Sequence, residues 1–203
     1  MLPPIPHLTF DADKHRYHYK GERMRWSVSK IASPLSARSE AYINSTRHIW
    51  EPRGNTVHRA LEAVLKQEQI VDAGEYGQWV NAMQQSWLLQ GCEVIASEYS
   101  VCDPKRSIGG QLDFILKTAK GTTVLGDLKT VGDVEKIRTR KPATAQLGGY
   151  LEMLQGFHSS LWIDKVVTFV VGPGGARVIA EEPDAAVEAW QAARGVWEKG
   201  LEF

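Results

Sequence analysis

The sequence predicts an α/β fold in which a central mixed β-sheet is flanked by helices and preceded by an N-terminal β-hairpin extension. Apolar residues recur at helical spacing from Arg53 to Gln69, whereas residues 92–130 contain alternating segments separated by turn formers. The chain has 203 residues, of which 43% are hydrophobic, enough for one sizeable core. We therefore expect a single domain over 1–203, with 1–50 as a β extension and 51–203 as the core.

The order of predicted elements gives an antiparallel meander followed by further strands. Short strands are expected around the turns DADK and KGE within residues 8–28. The expected helices cover 53–69, 76–90, 144–155 and 183–199. The expected strands cover 92–102, 108–116 and 122–130 for the meander, then 166–172 and 176–180 for a hairpin.

Composition restricts the class of protein without defining a function. Lys+Arg and Asp+Glu are both 24, but basic residues cluster in Lys14–Lys30 and Lys136–Lys141, which permits nucleic-acid binding without demonstrating it. Cys92 and Cys102 lie at opposite ends of one predicted strand and cannot easily bond to each other, which indicates a reducing compartment. The start MLPPIPHLTF lacks signal-peptide features, and no apolar run could span a bilayer. We expect a cytoplasmic protein with no membrane contact.

The segment LGDLKT places Asp127 and Lys129 on one face of a predicted strand. They form either a surface ion pair or a site for a metal ion and a phosphate. A turn centred near Lys120 would set Asp113 opposite Asp127, where like charges cost roughly 0.2–1 kcal/mol, and more if buried. A turn centred near Lys105 would bring Glu98 within about a residue of facing Asp113. Three acids and one lysine are typical of an oxygen-ligand site for Mg²⁺ or Mn²⁺, with a coincidental surface cluster as the alternative.

The ordered set of Glu98, GGQLD (109–113), GDLKT (126–130) and QLGGY (146–150) resembles the PD-(D/E)XK nuclease superfamily. It is most similar to the RecB-type exonuclease branch, which includes phage lambda exonuclease and the mitochondrial genome maintenance exonuclease. The resemblance covers roughly residues 54–155. That branch also carries an upstream histidine on a helix, and GNTVHRAL supplies Gly54, His58 and Leu61 to match.

This resemblance implies a restriction-endonuclease-like core that hydrolyses phosphodiester bonds. It implies one or two Mg²⁺ or Mn²⁺ ions; two cysteines cannot supply the four ligands of an iron–sulfur cluster, so none is expected. The implied catalytic residues are Asp113, Asp127, Lys129 and Glu98. The implied metal ligands are His58, Asp113, Asp127 and the carbonyl of Leu128. The implied DNA-binding residues are Gln146, Tyr150, Lys136, Arg138, Arg140, Lys141, Arg53 and Arg106. Glu62, one turn after His58, would be either an acid that supports the metal ligands or an exposed helix residue, and the second interpretation is favoured.

The resulting hypothesis is a divalent-metal-dependent DNA exonuclease in recombination, repair or phage DNA processing. Its expected partners are single-stranded or duplex DNA ends and, in addition, a recombination or single-strand-binding protein in a bacterial or phage-infected cell. One alternative is a structure-selective endonuclease with the same chemistry. Another is a catalytically silent module that binds DNA ends or a partner protein. RNA as a substrate stays open.

Overall fold

A computed structural model describes residues 1–200 and contains a mixed α/β arrangement, as expected. The strands are β1 (Leu8–Asp11), β2 (Arg16–Tyr19), β3 (Glu22–Arg23), β4 (Trp26–Ser27), β5 (Glu93–Asp103), β6 (Ile108–Lys117), β7 (Thr123–Thr130), β8 (Lys165–Gly172) and β9 (Gly175–Glu181). The helices are α1 (Val28–Ala32), α2 (Ala37–Ser45), α3 (Arg47–Lys66), α4 (Gly77–Gln84), α5 (Val134–Thr139), α6 (Thr144–Phe157) and α7 (Pro183–Lys199). A short 3₁₀ turn, Gly74–Tyr76, precedes α4.

The central sheet is mixed, which confirms the predicted fold class. Strands β5, β6 and β7 form the expected antiparallel meander, β8 joins β7 in parallel, and β9 closes a hairpin with β8. The β6–β7 register pairs Phe114 with Gly126 and Lys117 with Thr123, the register predicted from a turn at Lys120. Strands β1, β2 and β3 form a separate antiparallel sheet at the N-terminus.

Both faces of the central sheet are covered by helices. On one face, α6 and α7 contribute Leu147, Leu151 and Trp190 to a cluster with Ile115 and Leu125 of the sheet. On the other face, helices α3 and α4 pack on the opposite side chains of β6 and β7. Their main contributions are Val57, Leu61, Val80 and Met83, which lie against Phe114 and Leu128. The meander therefore lies between two apolar layers, and polar groups inside it must find partners there.

The structure contains helices that the sequence did not indicate. Helix α2 buries no residue and α5 buries only Ile137, so neither has the apolar face from which a helix is predicted. Helix α3 begins at Arg47, six residues before the predicted start, and contains Pro52. Helix α4 is shorter than predicted. Within residues 1–200, no helix has the length and apolar character needed to cross a membrane.

Candidate active site

A local separation of strands creates the candidate site. Strands β4 and β7 lie along the same edge of β6: β4 pairs with residues 108–109, and β7 pairs with residues 114–117. Asp113 lies in the interval between these two pairings. Strand β7 continues to Thr130 beside β8. The diverging strands leave room at this edge for polar side chains.

Asp113 is held at the point where the β6–β7 ladder ends. Its Oδ2 accepts a hydrogen bond from the backbone N–H of Leu128, and its Oδ1 lies 3.4 Å from Nδ1 of His58 on α3. Because the N–H and C=O of one strand residue point to the same neighbouring strand, the Leu128 carbonyl also lies on the Asp113 side of β7. Asp113, His58 and the Leu128 backbone therefore lie together.

Glu98 joins His58 and Asp113 in a cluster that could hold a metal ion. One ligand atom from each of the three residues lies within 4.8 Å of the other two. Glu98 has a left-handed backbone, with φ of 49°, and its carbonyl accepts a hydrogen bond from Gln111 Nε2 at 2.9 Å. An unstrained strand residue would not adopt this φ, so the local distortion helps determine where the Glu98 carboxylate lies.

Asp127 belongs to a second, adjoining network with Lys129 and the first turns of α6. Gln146 Nε2 donates to Asp127 Oδ1 at 2.8 Å and to the Tyr150 hydroxyl at 2.7 Å, while Lys129 Nζ donates to Gln146 Oε1 at 3.1 Å. Lys129 Nζ is also 2.8 Å from Asp127 Oδ2. Tyr150 is only 3% exposed. Gln146 therefore contacts the Asp127–Lys129 pair from the protein interior, and Tyr150 contacts Gln146.

Burial is the largest influence on the pKa values of the titratable groups in this cluster. Burial, reinforced by the charge of Asp113, raises the pKa of Glu98 to about 8. Burial lowers the pKa of His58, but the adjacent carboxylate of Asp113 outweighs burial and brings it to about 9. Burial raises the pKa of Asp127 despite the opposing charge of Lys129. Burial also favours neutral Asp113, but His58 and the Leu128 N–H together hold its pKa below the ordinary value.

These residues fit a hard divalent cation. Imidazole and carboxylate ligands of one Mg²⁺ or Mn²⁺ lie at most about 4.2 Å apart, close to the observed spread of the His58, Glu98 and Asp113 ligand atoms. Asp127 Oδ2 is buried, and its partner within residues 1–200 is the ammonium of Lys129, 2.8 Å away in an ion pair outside hydrogen-bond geometry. One ammonium balances one buried carboxylate, and a divalent cation would balance the neighbouring acids. The ligand set can therefore hold a metal ion, with Asp127 at its edge.

A cleft of about 440 Å³ adjoins this cluster. His58, Leu128 and Lys129 line it, whereas the acids Glu98, Asp113 and Asp127 lie behind them and do not. Arg53 and Arg140 also line it, so two of the predicted DNA-binding cations are at the cleft. Arg53 Nε lies 3.5 Å from Thr130 Oγ1, and its guanidinium lies 6.0 Å from the centre of the Trp79 ring.

The other predicted DNA-binding cations do not line this cleft. Lys136, Arg138 and Lys141 are exposed on or beside α5, and Lys136 pairs at 3.0 Å with Asp133, which caps that helix. Arg106 lies in the β5–β6 turn, where it pairs with Asp103 and Glu198 at 3.0 and 2.8 Å. Ile108 lies five residue steps before Asp113 in β6, about 17 Å along the strand. Arg106 is therefore remote from the acids.

Several residues at the site were not predicted from the sequence. Ile43 and Trp50 line the cleft from α2 and α3, and Thr130 contributes the hydroxyl beside Arg53. None of them stands in a recognisable pattern of spacing. Glu62, expected to be an exposed helix residue, pairs at 2.5 Å with Lys66 one turn along α3.

No protein-family model matches this chain, and no curated protein matches its sequence. Solved structures do show similarity to it. The crystal structure of SSO0001 is 16% identical over 84% of this chain and 75% of that chain, with a TM-score of 0.44. The crystal structure of LHK-Exo in complex with dAMP is 14% identical over 87% of both chains, with a TM-score of 0.39.

Proposed function

We propose that this protein is a divalent-metal-dependent DNA nuclease, acting as an exonuclease in recombination, repair or phage DNA processing. The observation that carries the proposal is the meeting of His58, Glu98 and Asp113 with the Asp127–Lys129 pair beneath one cleft. A buried group of acids with one accessible lysine suits an anionic substrate only when a cation balances the acids. The resemblance to the RecB-type branch favours DNA and attack from a strand end.

The acids and His58 would hold Mg²⁺ or Mn²⁺, with the Leu128 carbonyl as a further oxygen ligand. Such an ion, when bound, lowers the pKa of coordinated water and withdraws electron density from a phosphoryl oxygen. The protein supplies the rigid ligand set: Asp113 is fixed by the Leu128 N–H and Glu98 by its distorted strand. A second ion beside Glu98 is part of the same proposal.

Lys129 is the group best placed to act on the reacting phosphate. Its side chain is 26% exposed and lines the cleft, while Asp127 and Gln146 bind its ammonium. In that position it can orient an attacking water or neutralise charge that develops on phosphorus. Arg53 and Arg140 would contact flanking phosphates at the cleft mouth, and Lys136, Arg138 and Lys141 would contact the strand farther out. Contacts of this kind position DNA without selecting its sequence.

The experiment that tests the proposal compares linear and covalently closed circular DNA, each incubated with Mg²⁺, Mn²⁺ or EDTA. We expect metal-dependent degradation of the linear form while the circle stays intact. Cleavage of the circular DNA would mean that the protein is an endonuclease and not an exonuclease. If the protein binds DNA but cleaves it under none of the metal conditions, it is not a nuclease and acts as a DNA-binding module. Parallel incubation with RNA tests whether cleavage requires deoxyribose in the substrate.

A further inference from the structure

We propose that Trp50 stacks on a nucleobase of an unpaired strand, so that the cleft takes single-stranded DNA rather than a base-paired end. This inference rests on the proposed nuclease function and specifies its substrate. It assigns a specificity-determining contact to a residue outside the acid–lysine cluster.

The segment from residue 35 to the start of α3 exposes an unusual amount of apolar surface. Of the ten exposed large hydrophobic side chains in residues 1–200, four lie between positions 35 and 50. They are Leu35, Tyr42, Ile49 and Trp50. Helix α2 buries none of its residues, so its apolar side chains do not serve the hydrophobic core. Exposed apolar surface of this kind is typical of a binding site. Ile43 and Trp50 extend this apolar surface into the cleft itself.

Trp50 is fixed in place while its ring stays accessible. Its indole Nε1 donates to the Ile43 carbonyl at 3.0 Å, linking α3 to α2, and the residue is still 38% exposed. A tryptophan whose N–H is already bonded offers its flat apolar face as the remaining means of contact. Base–aromatic stacking needs such a preorganised face, and it tolerates any base because every base has a π-face.

The surroundings of Trp50 complete a binding surface for a single strand. The cleft that it lines also contains Arg53, Arg140 and Lys129, which are cations suited to the backbone phosphates. An aromatic platform beside a row of cations is the arrangement with which proteins hold single strands independently of sequence. Stacking on Trp50 requires a nucleobase with a free face, which an unpaired strand offers and the interior of a duplex does not.

The test measures binding of two oligomers of equal length, an oligothymidylate and a strand whose bases are replaced by abasic sites. Both carry the same phosphates, so their difference reports stacking. All proteins carry Lys129→Ala to prevent cleavage, and Mg²⁺ is present. We expect the parent to prefer the oligothymidylate by about tenfold, and Trp50→Ala to abolish this preference. Trp50→Phe keeps a ring and should retain most of the preference even though it loses the bond to Ile43.

Trp87→Ala serves as the matched control, because Trp87 is 61% exposed and does not line the cleft. It should leave the preference unchanged. Equal binding of the two oligomers by the parent, or an undiminished preference in Trp50→Ala, would overturn the stacking role while leaving the proposed nuclease intact. Failure of the parent to bind either oligomer would instead overturn the proposed function, and the stacking role with it.

Discussion

The carboxylate of Asp113 accepts a hydrogen bond from the backbone N–H of Leu128 where strands β6 and β7 stop pairing. A side chain thus replaces a backbone partner, and β7 continues beside β8 without an unsatisfied buried amide. The same bond favours the ionised form of Asp113, which the cation site needs. The end of the strand pairing and the position of the proposed metal ligand Asp113 therefore have one structural cause.

Removing the Asp113 charge should abolish stabilisation of the protein by metal ions. An ion at 100 times its Kd stabilises the folded state by about 2.7 kcal/mol, which raises the melting temperature by several degrees. We expect Mn²⁺ to raise the Tm of the wild type relative to EDTA, and to have little effect on Asp113→Asn or His58→Ala. Asp13→Asn, in the exposed β1–β2 turn, is the control and should behave as wild type. If Mn²⁺ raised the Tm of Asp113→Asn as much as that of the wild type, the ion would bind at another site.

Gln146 should act as a positioning residue for Lys129 and Asp127. Its amide bonds both side chains, so Gln146→Ala removes one partner from each and leaves only their mutual ion pair to orient them. We expect kcat of DNA cleavage to fall about ten- to a hundredfold while KM changes little, because the loss affects orientation more than binding. Gln155→Ala, on the exposed side of the same helix, should leave kcat unchanged. A rise in KM with constant kcat would instead make Gln146 a DNA contact.

The Tyr150 hydroxyl should contribute to stability through its bond to Gln146. It is buried and accepts from Gln146 Nε2 at 2.7 Å. Tyr150→Phe removes this bond while keeping the ring, so the free energy of unfolding should fall by about 0.5–1.5 kcal/mol. Urea denaturation measures the change. A fall of less than about 0.5 kcal/mol would mean that Gln146 is held by Asp127 and Lys129 alone.

Gly148 is required for close packing of helices α6 and α7. A Cβ at this position would lie 1.9 Å from the backbone carbonyl oxygen of Ala186, whereas one at Gly156, on the same helix, would meet nothing within 4 Å. Gly148→Ala should lower the free energy of unfolding by about 3 kcal/mol, since backbone must move. Gly156→Ala should instead raise it by up to about 1 kcal/mol, through helix propensity. Similar effects from both substitutions would refute the packing role.

Much of the sheet could be predicted because its signals are local. Alternation with turn formers marks β5, β6 and β7, and the turn at Lys120 determines the β6–β7 register. The two glycines of QLGGY lie where neighbouring groups approach closely. The structure shows the Ala186 backbone against Gly148, and the Val28 and Trp190 side chains against Gly149. Helix α2 was not predicted because a helix that buries no residue lacks the apolar periodicity on which helix prediction depends.

The site was predictable only as far as motif residues define it. Asp113, Asp127, Lys129 and His58 stand in an ordered series, and the structure brings them together. The contact of Glu98 with His58 and Asp113 depends on an irregular backbone that no spacing rule reveals. Trp50 reaches the cleft through the tertiary bond to Ile43, and a lone tryptophan carries no signal of that. Arg106 was selected because it lies near the motifs in the sequence. In the structure it pairs with Asp103 and Glu198, which the sequence did not indicate.

The most direct test of the central claim is release of nucleotides from end-labelled single-stranded DNA in Mg²⁺ or Mn²⁺, comparing wild type with Lys129→Ala. Lys120→Ala, in the exposed turn at the other end of β7, is the matched control. We predict metal-dependent release that Lys129→Ala reduces by about a hundredfold or more and that Lys120→Ala leaves unchanged. Equal release by wild type and Lys129→Ala, or release that continues in EDTA, would contradict the assignment of this cluster as the active site.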